Sequence, residues 1–427
     1  MNQLEKNRVI SEAIKTTRLK RKNQACKVFK FKVNRSSLSN EQKNSLKMFF
    51  VEAKRVYNYI IGSKLDPFNL GYKELKEIIY LDKDKNQIDY KIQYIGSSVI
   101  ADTITLIKES IKGLSSSKKN GSKIGSLRFK SECNSIRLRQ YGITHYIKNG
   151  SIKIQGIKKP IKVSGLKQLN KYDNIDYTVA NILYDGYDYF VSLTCFIDKE
   201  KKQTNNSIIG IDLGCSTTIT TSDGEKIKVS IEESERLKGL QVKLSKQIKR
   251  SNNWYKTQSK IRKEYNKMNN RKNDISNKIV NRLLQNKIVV IQDDQISEWH
   301  ENELTSKTIQ NSILGRIKSR LKKADNVVVL DQWFPTTKHC FQCGNDLDID
   351  LSQRTYKCNC GFESDRDIHA ANNMIEYYKQ YKKLQSVGTT DLKPVRKISY
   401  KNYNELSKQE ALKLKFKSSS HNSKCTI

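Results

Sequence analysis

Apolar and polar residues alternate in CKVFKFKV, from Cys26 to Val33, which is the period of a half-buried strand. Ser39 and Gln42, three positions apart, form a capping-box pattern that opens a helix. In that helix Leu46, Phe49, Phe50, Ala53, Val56, Tyr57 and Ile60 recur at helical spacing, so one face is buried. Ile100, Ile104, Ile107 and Ile111 predict a second amphipathic helix, and GLSSSKKNGSK, from Gly113 to Lys123, reads as a polar loop after it. Short alternating stretches follow in SLRFK, SIRLRQY, SIKIQGI and PIKV. Tyr177 to Leu183 and Tyr189 to Phe196 flank the Asp185-Gly186 turn signal of a hairpin. This half of the chain is expected to be a small β-barrel or sheet with helices inserted into it.

From Ile208 the pattern changes. IIGIDLG is a buried strand ending in glycine, CSTTITT a second strand and EKIKVS a third, separated by Ser222-Asp223-Gly224. Residues 231–285 are basic and proline-free, broken near Ser251-Asn252-Asn253, and predict a helical hairpin. A buried strand from Ile288 to Ile291, a helix from about Thr305 to Lys323 and a strand from Val327 to Leu330 restore β/α alternation. A cysteine-bearing segment interrupts it, and a last helix begins near Ser364. The lysine- and serine-rich tail beyond Gln385 reads as poorly ordered. The fold class is therefore α/β multidomain.

Charge narrows the partner. The 427 residues carry 80 Lys and Arg against 44 Asp and Glu, a formal net charge of +36. Basic residues spread over the whole length point to a polyanion, and nucleic acid is the candidate. Neither a cleavable apolar leader nor a membrane-spanning run is present, which places the expected location in the cytoplasm. Of nine cysteines, four lie between Cys340 and Cys360, and in a reducing compartment they read as metal ligands. Cys340 and Cys343, then Cys358 and Cys360, each pair followed by glycine, suit tetrahedral Zn²⁺, with His339 as a possible substitute ligand.

Three carboxylate positions carry the second chemistry. Asp212 ends a buried strand, where an ionised carboxylate is costly without a hydrogen-bonding or cationic partner. Asp293 and Asp294 follow the strand at Ile288, and Asp367 sits at the start of the last helix. Each has a plainer explanation: a turn cap at Asp212, ordinary strand-end residues at the pair, and a residue favoured at a helix N-terminus at Asp367, with Ser364 as cap. Together, in a β-β-β-α-β-α-β-α order, they are what two Mg²⁺ ions need to cleave a phosphodiester. Aromatics among the basic residues, Tyr57, Tyr59, Trp254, Tyr255 and Tyr265, could stack on bases, although packing explains most of them. Trp333 and Phe334 are expected to anchor the cysteine segment to the core, and Trp299 and His300 to be structural.

The motifs GIDLG, NRKNDISNKIV, IQDDQI, FPTTKHCFQCG, YKCNCG and DRDIHAANN, in this order, resemble those of the TnpB family, the accessory proteins of small insertion sequences. EAKRVYNYI and SLRFK agree as well, and the sequence is also similar to miniature type V CRISPR effectors. After a basic leader at residues 1–25, which lies outside the resemblance, the resemblance implies a wedge-like β-barrel at 26–205, with a helical recognition domain inserted at about 39–113. It then implies an RNase H-like RuvC nuclease domain at 206–334, with its basic hairpin at about 231–285. A zinc ribbon at 335–363 and the final RuvC helix at 364–384 complete what the resemblance implies, and a basic tail at 385–427 lies outside it.

It also implies a bound guide RNA, a double-stranded DNA target and Mg²⁺-dependent cleavage by Asp212, a second acidic residue and Asp367. The family's second position is usually glutamate. One alignment makes Asp294 that residue, and another puts Gln292 there with Asp293 as the nearest carboxylate. His369 stands where the family more often has asparagine. Two alternatives accompany this expectation: a guided DNA-binding protein with impaired cleavage, and an unguided transposase-like nuclease.

Overall fold

A computed structural model describes residues 3–63, 65–81, 86–199, 207–215, 217–285, 287–296, 298–300, 303–350, 353–386 and 396–409. They divide into two units, Met1–Glu200 and Lys201–Ile427. Among the described residues no helix is long and apolar enough to cross a membrane.

The first unit opens with α1 (Gln3–Lys22), an exposed basic helix, and continues through β1 (Gln24–Val33) and α2 (Asn40–Gly62). The Ser39/Gln42 capping box is present in both directions, and Leu46, Phe49, Val56 and Ile60 are buried. A hairpin of β2 (Glu77–Leu81) and β3 (Gln87–Lys91), which hydrophobic periodicity did not reveal, separates α2 from α3 (Ser97–Lys119). Buried Glu52 of α2 holds the return from this hairpin, accepting from the Tyr90 hydroxyl at 2.8 Å and from the N–H groups of Gln93, Tyr94 and Ile95 at 2.8 to 2.9 Å.

Six further strands complete the sheet: β4 (Ser135–Leu138), β5 (His145–Lys148), β6 (Ser151–Ile154), β7 (Ile161–Ser164), β8 (Asp176–Tyr184) and β9 (Tyr189–Asp198). Its order is β4-β8-β9-β1-β7-β6-β5, antiparallel throughout. The edge strands β4 and β5 are consecutive in the chain, so the sheet curls into a nearly closed barrel. Its core merges with the apolar faces of α2 and α3. Gly186 takes a positive φ of 88° in the hairpin turn, and the Asp185 carboxylate accepts from the N–H groups of Tyr187 and Asp188.

Two expectations fail here. The segment from Gly113 is helical to Lys119 because Leu114 continues the spacing from Ile111 while the serines and lysines face solvent. SLRFK forms no strand, because the Asn58 side chain takes both backbone hydrogen bonds of Lys130.

The second unit is a six-stranded sheet between two helical layers. Its elements begin with β10 (Ile208–Asp212), β11 (Ile219–Thr221), β12 (Lys226–Ile227), α4 (Glu235–Ser245), α5 (Asn252–Leu283) and β13 (Ile288–Gln292). They continue with α6 (Glu303–Asn311), α7 (Leu314–Leu321), β14 (Val327–Leu330), β15 (Thr355–Lys357), β16 (Glu363–Asp365) and α8 (Arg366–Ser386), then β17 (Lys397–Ile398) and α9 (400–409). The order is β12-β11-β10-β13-β14-β17, antiparallel across the first three and parallel from β10 onward.

Alternation along the strands divides two cores. Ile209, Ile211, Val289, Ile291, Val327 and Val329 face α5, α6 and α7. Val290, Val328 and Leu330 face α8, with Met374, Tyr377 and Tyr381.

The helix expected from Thr305 to Lys323 is broken between α6 and α7. The carbonyls of Gln310 and Asn311 there accept instead from the Lys272 ammonium and the Ile231 N–H. The tail reading is corrected in part: β17 pairs with β14, and Tyr400, Tyr403 and Leu406 of α9 pack on the Phe334–Tyr377 cluster. A two-residue strand leaves too short a pattern to read in sequence. The remainder, residues 387–395 and 410–427 including Cys425, lies outside the described residues.

Candidate active site and metal centre

Gly210 decides how α8 meets the sheet. A Cβ there would lie 1.8 Å from the Ala371 carbonyl oxygen, so only glycine lets the helix backbone reach β10 this closely. Ala370 and Ala371, both buried, supply the matching small surface on the helix. Period-two alternation puts Asp212 on the same face as Gly210, toward α8. The N-terminus of α8 is fixed by Asp365, whose carboxylate accepts from the N–H groups of Asp367 and Ile368 at 3.1 and 3.2 Å. Asp365, rather than Ser364, is the cap, and Lys226 of β12 ties it down at 2.7 Å.

Asp212 thereby shares its surroundings with Asp367 and Asp294. Burial pushes its carboxyl up to about 7, with the charges of Asp367 and then Asp294 adding to the effect. The Arg366 guanidinium and the Leu213 N–H oppose the shift without cancelling it. Burial also raises Asp294, against the nearby Lys318 ammonium.

Asp293 points elsewhere. One residue out of phase with Asp294, it faces α7, where Lys318 and Lys322, one helical turn apart, contact its carboxylate at 2.8 and 2.7 Å. Burial would raise Asp293, but these two bonds outweigh it and hold the carboxyl below its usual range. Lys318 also donates to the Asp294 carbonyl. Gln292 is buried and fully engaged. Its amide donates to the carbonyls of Phe334, Gln332 and Asp331 at 2.8 to 3.4 Å, and it accepts from the Thr336 hydroxyl at 2.7 Å. The charges of Asp367 and Asp294 thus both reach Asp212, while Asp293 and Gln292 are taken up by partners of their own.

The cysteines form a separate centre. The Sγ atoms of Cys340, Cys343, Cys358 and Cys360 all lie within 4.8 Å of one another, and no other such cluster occurs among the described residues. Cys343 and Cys358 are 3.5 Å apart, and Cys340 and Cys360 are 3.9 Å apart. A tetrahedron with metal–sulfur bonds of about 2.3 Å has edges of about 3.8 Å, so the set fits a single ion. Gly344 and Gly361 take positive φ values of 78° and 90°, bending each loop so that its N–H returns to the carbonyl of Cys340 or Cys358. The N–H of Cys360 draws the Cys358 thiol down to about 7. His339 is not in the cluster; its Nδ1 lies 2.6 Å from the Asp346 carboxylate.

Two family descriptions match the chain, from the end of the first unit through most of the second. A probable transposase family (OrfB_IS605) covers residues 187–294, and a Cas12f1-like TNB domain covers residues 312–374, enclosing the four cysteines. The chain is TnpB-like. A Streptomyces pristinaespiralis protein named "Putative RNA-guided DNA endonuclease" is 27% identical over 260 residues, 58% of this chain and 64% of the relative. Escherichia coli (strain K12) InsQ, under the same name, is 27% identical over 199 residues, 40% of this chain and 48% of the relative. The matches therefore span less than two thirds of either relative. A cryo-EM structure of a Cas12f1-sgRNA-target DNA complex aligns with 82% of this chain and 99% of its own at 11% identity and a TM-score of 0.47.

In this TnpB-like chain, His369 joins α8 to the cysteine segment rather than to the carboxylates. Its ring stacks on Tyr356 at 3.8 Å, and its Nε2 donates to the His339 carbonyl at 2.9 Å, which the Asn373 amide also reaches at 2.7 Å. Phe334 is buried against Tyr377 and Tyr400, as an anchor should be. Trp333, expected to do the same, is 70% exposed. Tyr57 and Tyr59 pack against the core of the first unit, and Tyr265 donates to Glu233, so packing accounts for them. Sequence reading missed Lys318 and Lys322, whose four-residue spacing on a helix was a usable signal, and Arg366, which stood unnoticed inside DRD.

Proposed function

We propose that the chain is an RNA-guided DNA endonuclease that hydrolyses phosphodiesters at Asp212, Asp294 and Asp367. The observation that carries the proposal is the buried Asp212 carboxyl, which burial and then the charges of Asp367 and Asp294 raise to about 7. Such a group has unmet negative charge, and hard oxygen donors from three separate elements suit Mg²⁺. When bound, that cation would activate water and stabilise the leaving oxygen. The chain's own part is to present the carboxylates from rigid elements: β10, the end of β13, and the capped start of α8.

The sheet order, three antiparallel strands followed by parallel ones, supports an RNase H-like RuvC domain formed by residues 206–334 and 364–384. The Cys340–Cys360 cluster supports a zinc ribbon at 335–363, and the curled sheet of the first unit supports a wedge-like barrel at 26–205, its helical insert at 39–113. Guidance by RNA rests on the relatives' names and on the net charge of +36.

The deciding experiment purifies the chain with its RNA, sequences that RNA, and incubates the complex with matching duplex DNA and Mg²⁺. Cutting supports the proposal; absence of a defined copurifying RNA sinks guidance. Guided binding without cutting is the second reading. It is favoured by Lys318, whose ammonium beside the shorter aspartate at position 294 lessens the site's demand for a cation.

Replacing the two adjacent aspartates separately settles their roles. Asp294→Ala should abolish cutting while leaving target binding intact. Asp293→Ala should retain cutting and lower stability, by on the order of 1–3 kcal/mol, because it leaves Lys318 partly buried without its carboxylate. The reverse outcome in a cleavage assay would exchange their assignments. For the ribbon, elemental analysis should find one Zn²⁺ per chain, and Cys358→Ser should lose most of it. A strong chelator should lower the melting temperature of the parent more than that of Cys358→Ser, since metal binding at such a site contributes directly to folding.

A further inference from the structure

Trp333 presents a large indole to solvent, 70% exposed, while its neighbour Phe334 is 3% exposed. An indole held in water by a fixed loop offers a flat apolar face suited to an aromatic partner. The loop that carries it is held firmly. The Asp331 carboxylate accepts from the Trp333 N–H at 3.1 Å and from the Tyr400 N–H at 2.7 Å. The buried Gln292 amide clamps three carbonyls of the same loop, at Asp331, Gln332 and Phe334. With its backbone fixed on both sides, the indole cannot be drawn into the core by a local shift of the chain.

The place matters as much as the exposure. β10, β13 and β14 are parallel neighbours, with Ile211 opposite Ile291 and Gln292 opposite Leu330. Asp212, Asp294 and the loop after Leu330 therefore leave the sheet at the same carboxyl end, where open α/β sheets bind ligands. With adjacent strands about 4.8 Å apart, the loop emerges about 10 Å from the strand that carries Asp212. That separation is on the scale of a few nucleotides.

We propose that Trp333 is a stacking platform for a nucleobase of the single DNA strand led to the carboxylate site, a role that rests on the nuclease reading above. An unpaired base offers a free π face to the indole, whereas a base inside a duplex has both faces covered by its neighbours. The platform therefore favours single strands over duplex and accepts any base. Gln292 and Asp331 act as positioning residues for it.

The test uses the full chain with its copurifying RNA, in a Trp254→Phe, Trp299→Phe background that leaves Trp333 as the only tryptophan. Adding a short oligothymidylate strand should quench Trp333 emission, and the equivalent duplex should quench it far less. Trp333→Ala should weaken single-strand binding about tenfold and raise KM with kcat little changed, and Trp333→Phe should recover most of the loss. Circular dichroism confirms that both variants fold.

Emission unmoved by the oligonucleotide, or unchanged binding and KM in the folded Trp333→Ala variant, overturns the proposal. Quenching in a chain that binds single strands without cutting supports stacking and counts against the nuclease reading, so the two failures are distinct.

Discussion

Alanine at Gly210 should push α8 away from β10 and separate Asp367 from Asp212. The added Cβ would stand 1.8 Å from the Ala371 carbonyl oxygen and 2.8 Å from its carbon, atoms of a helix backbone that cannot swing aside as a long side chain would. Relief requires the helix to translate. A shift of about 1 Å in a carboxylate of the proposed cation site is enough to cost about a hundredfold in rate. Overpacking of this kind also costs about 1–3 kcal/mol. A cleavage assay beside thermal melting measures both. Equal rates and melting temperatures for Gly210→Ala and the parent would mean that this close approach does not position the site.

Asp212→Asn should lower cutting on the order of a thousandfold or more, since it removes an anionic ligand at the centre of the proposed Mg²⁺ site. The same change should stabilise the metal-free protein at neutral and alkaline pH. The parent's Asp212 carboxyl stands at about 7 in the folded chain, against about 3.9 when unfolded. The folded state therefore holds the proton more tightly, and ionising the group lowers stability progressively as pH rises from about 4 to about 7.

Asparagine has no proton to lose and gains no charge, so its melting curve should lie above the parent's by pH 8 and converge with it below about pH 4. Mg²⁺ should reverse the order at pH 8, because only the parent offers it the third carboxylate. For the same reason cutting by the parent should rise with pH through neutrality. A variant that gains nothing at pH 8 without metal would show that burial and the neighbouring acids do not hold the Asp212 carboxyl up in solution.

Local chemistry was readable from the residues alone. The two cysteine pairs with their glycines specify a ligand set that suits zinc through spacing of a few positions, and the structure gathers all four sulfurs. The Ser39 capping box and the Asp185-Gly186 turn are likewise decided by neighbours in the chain, and both occur. Charge, with a strand end at Asp212 and a helix start at Asp367, singled out both residues. The choice between Asp293 and Asp294 was not readable. β13 is buried on both faces, so its run of valine and isoleucine carries no alternation to say which side faces α8 and which faces α7.

Three other features depended on distant partners in the same way. The exposure of Trp333 beside buried Phe334 is set by Gln292 and Tyr400, and β17 exists because β14 offers it an edge. The close approach at Gly210 exists because a helix some 160 residues later brings Ala371 to it. The sequence by itself determined most of the helices and longer strands, the cysteine cluster and the supply of acidic residues, since these follow from local periodicity and spacing. Only the tertiary structure decided which acidic residues meet, because side-chain direction on a doubly buried strand is fixed by the layers packed on each face.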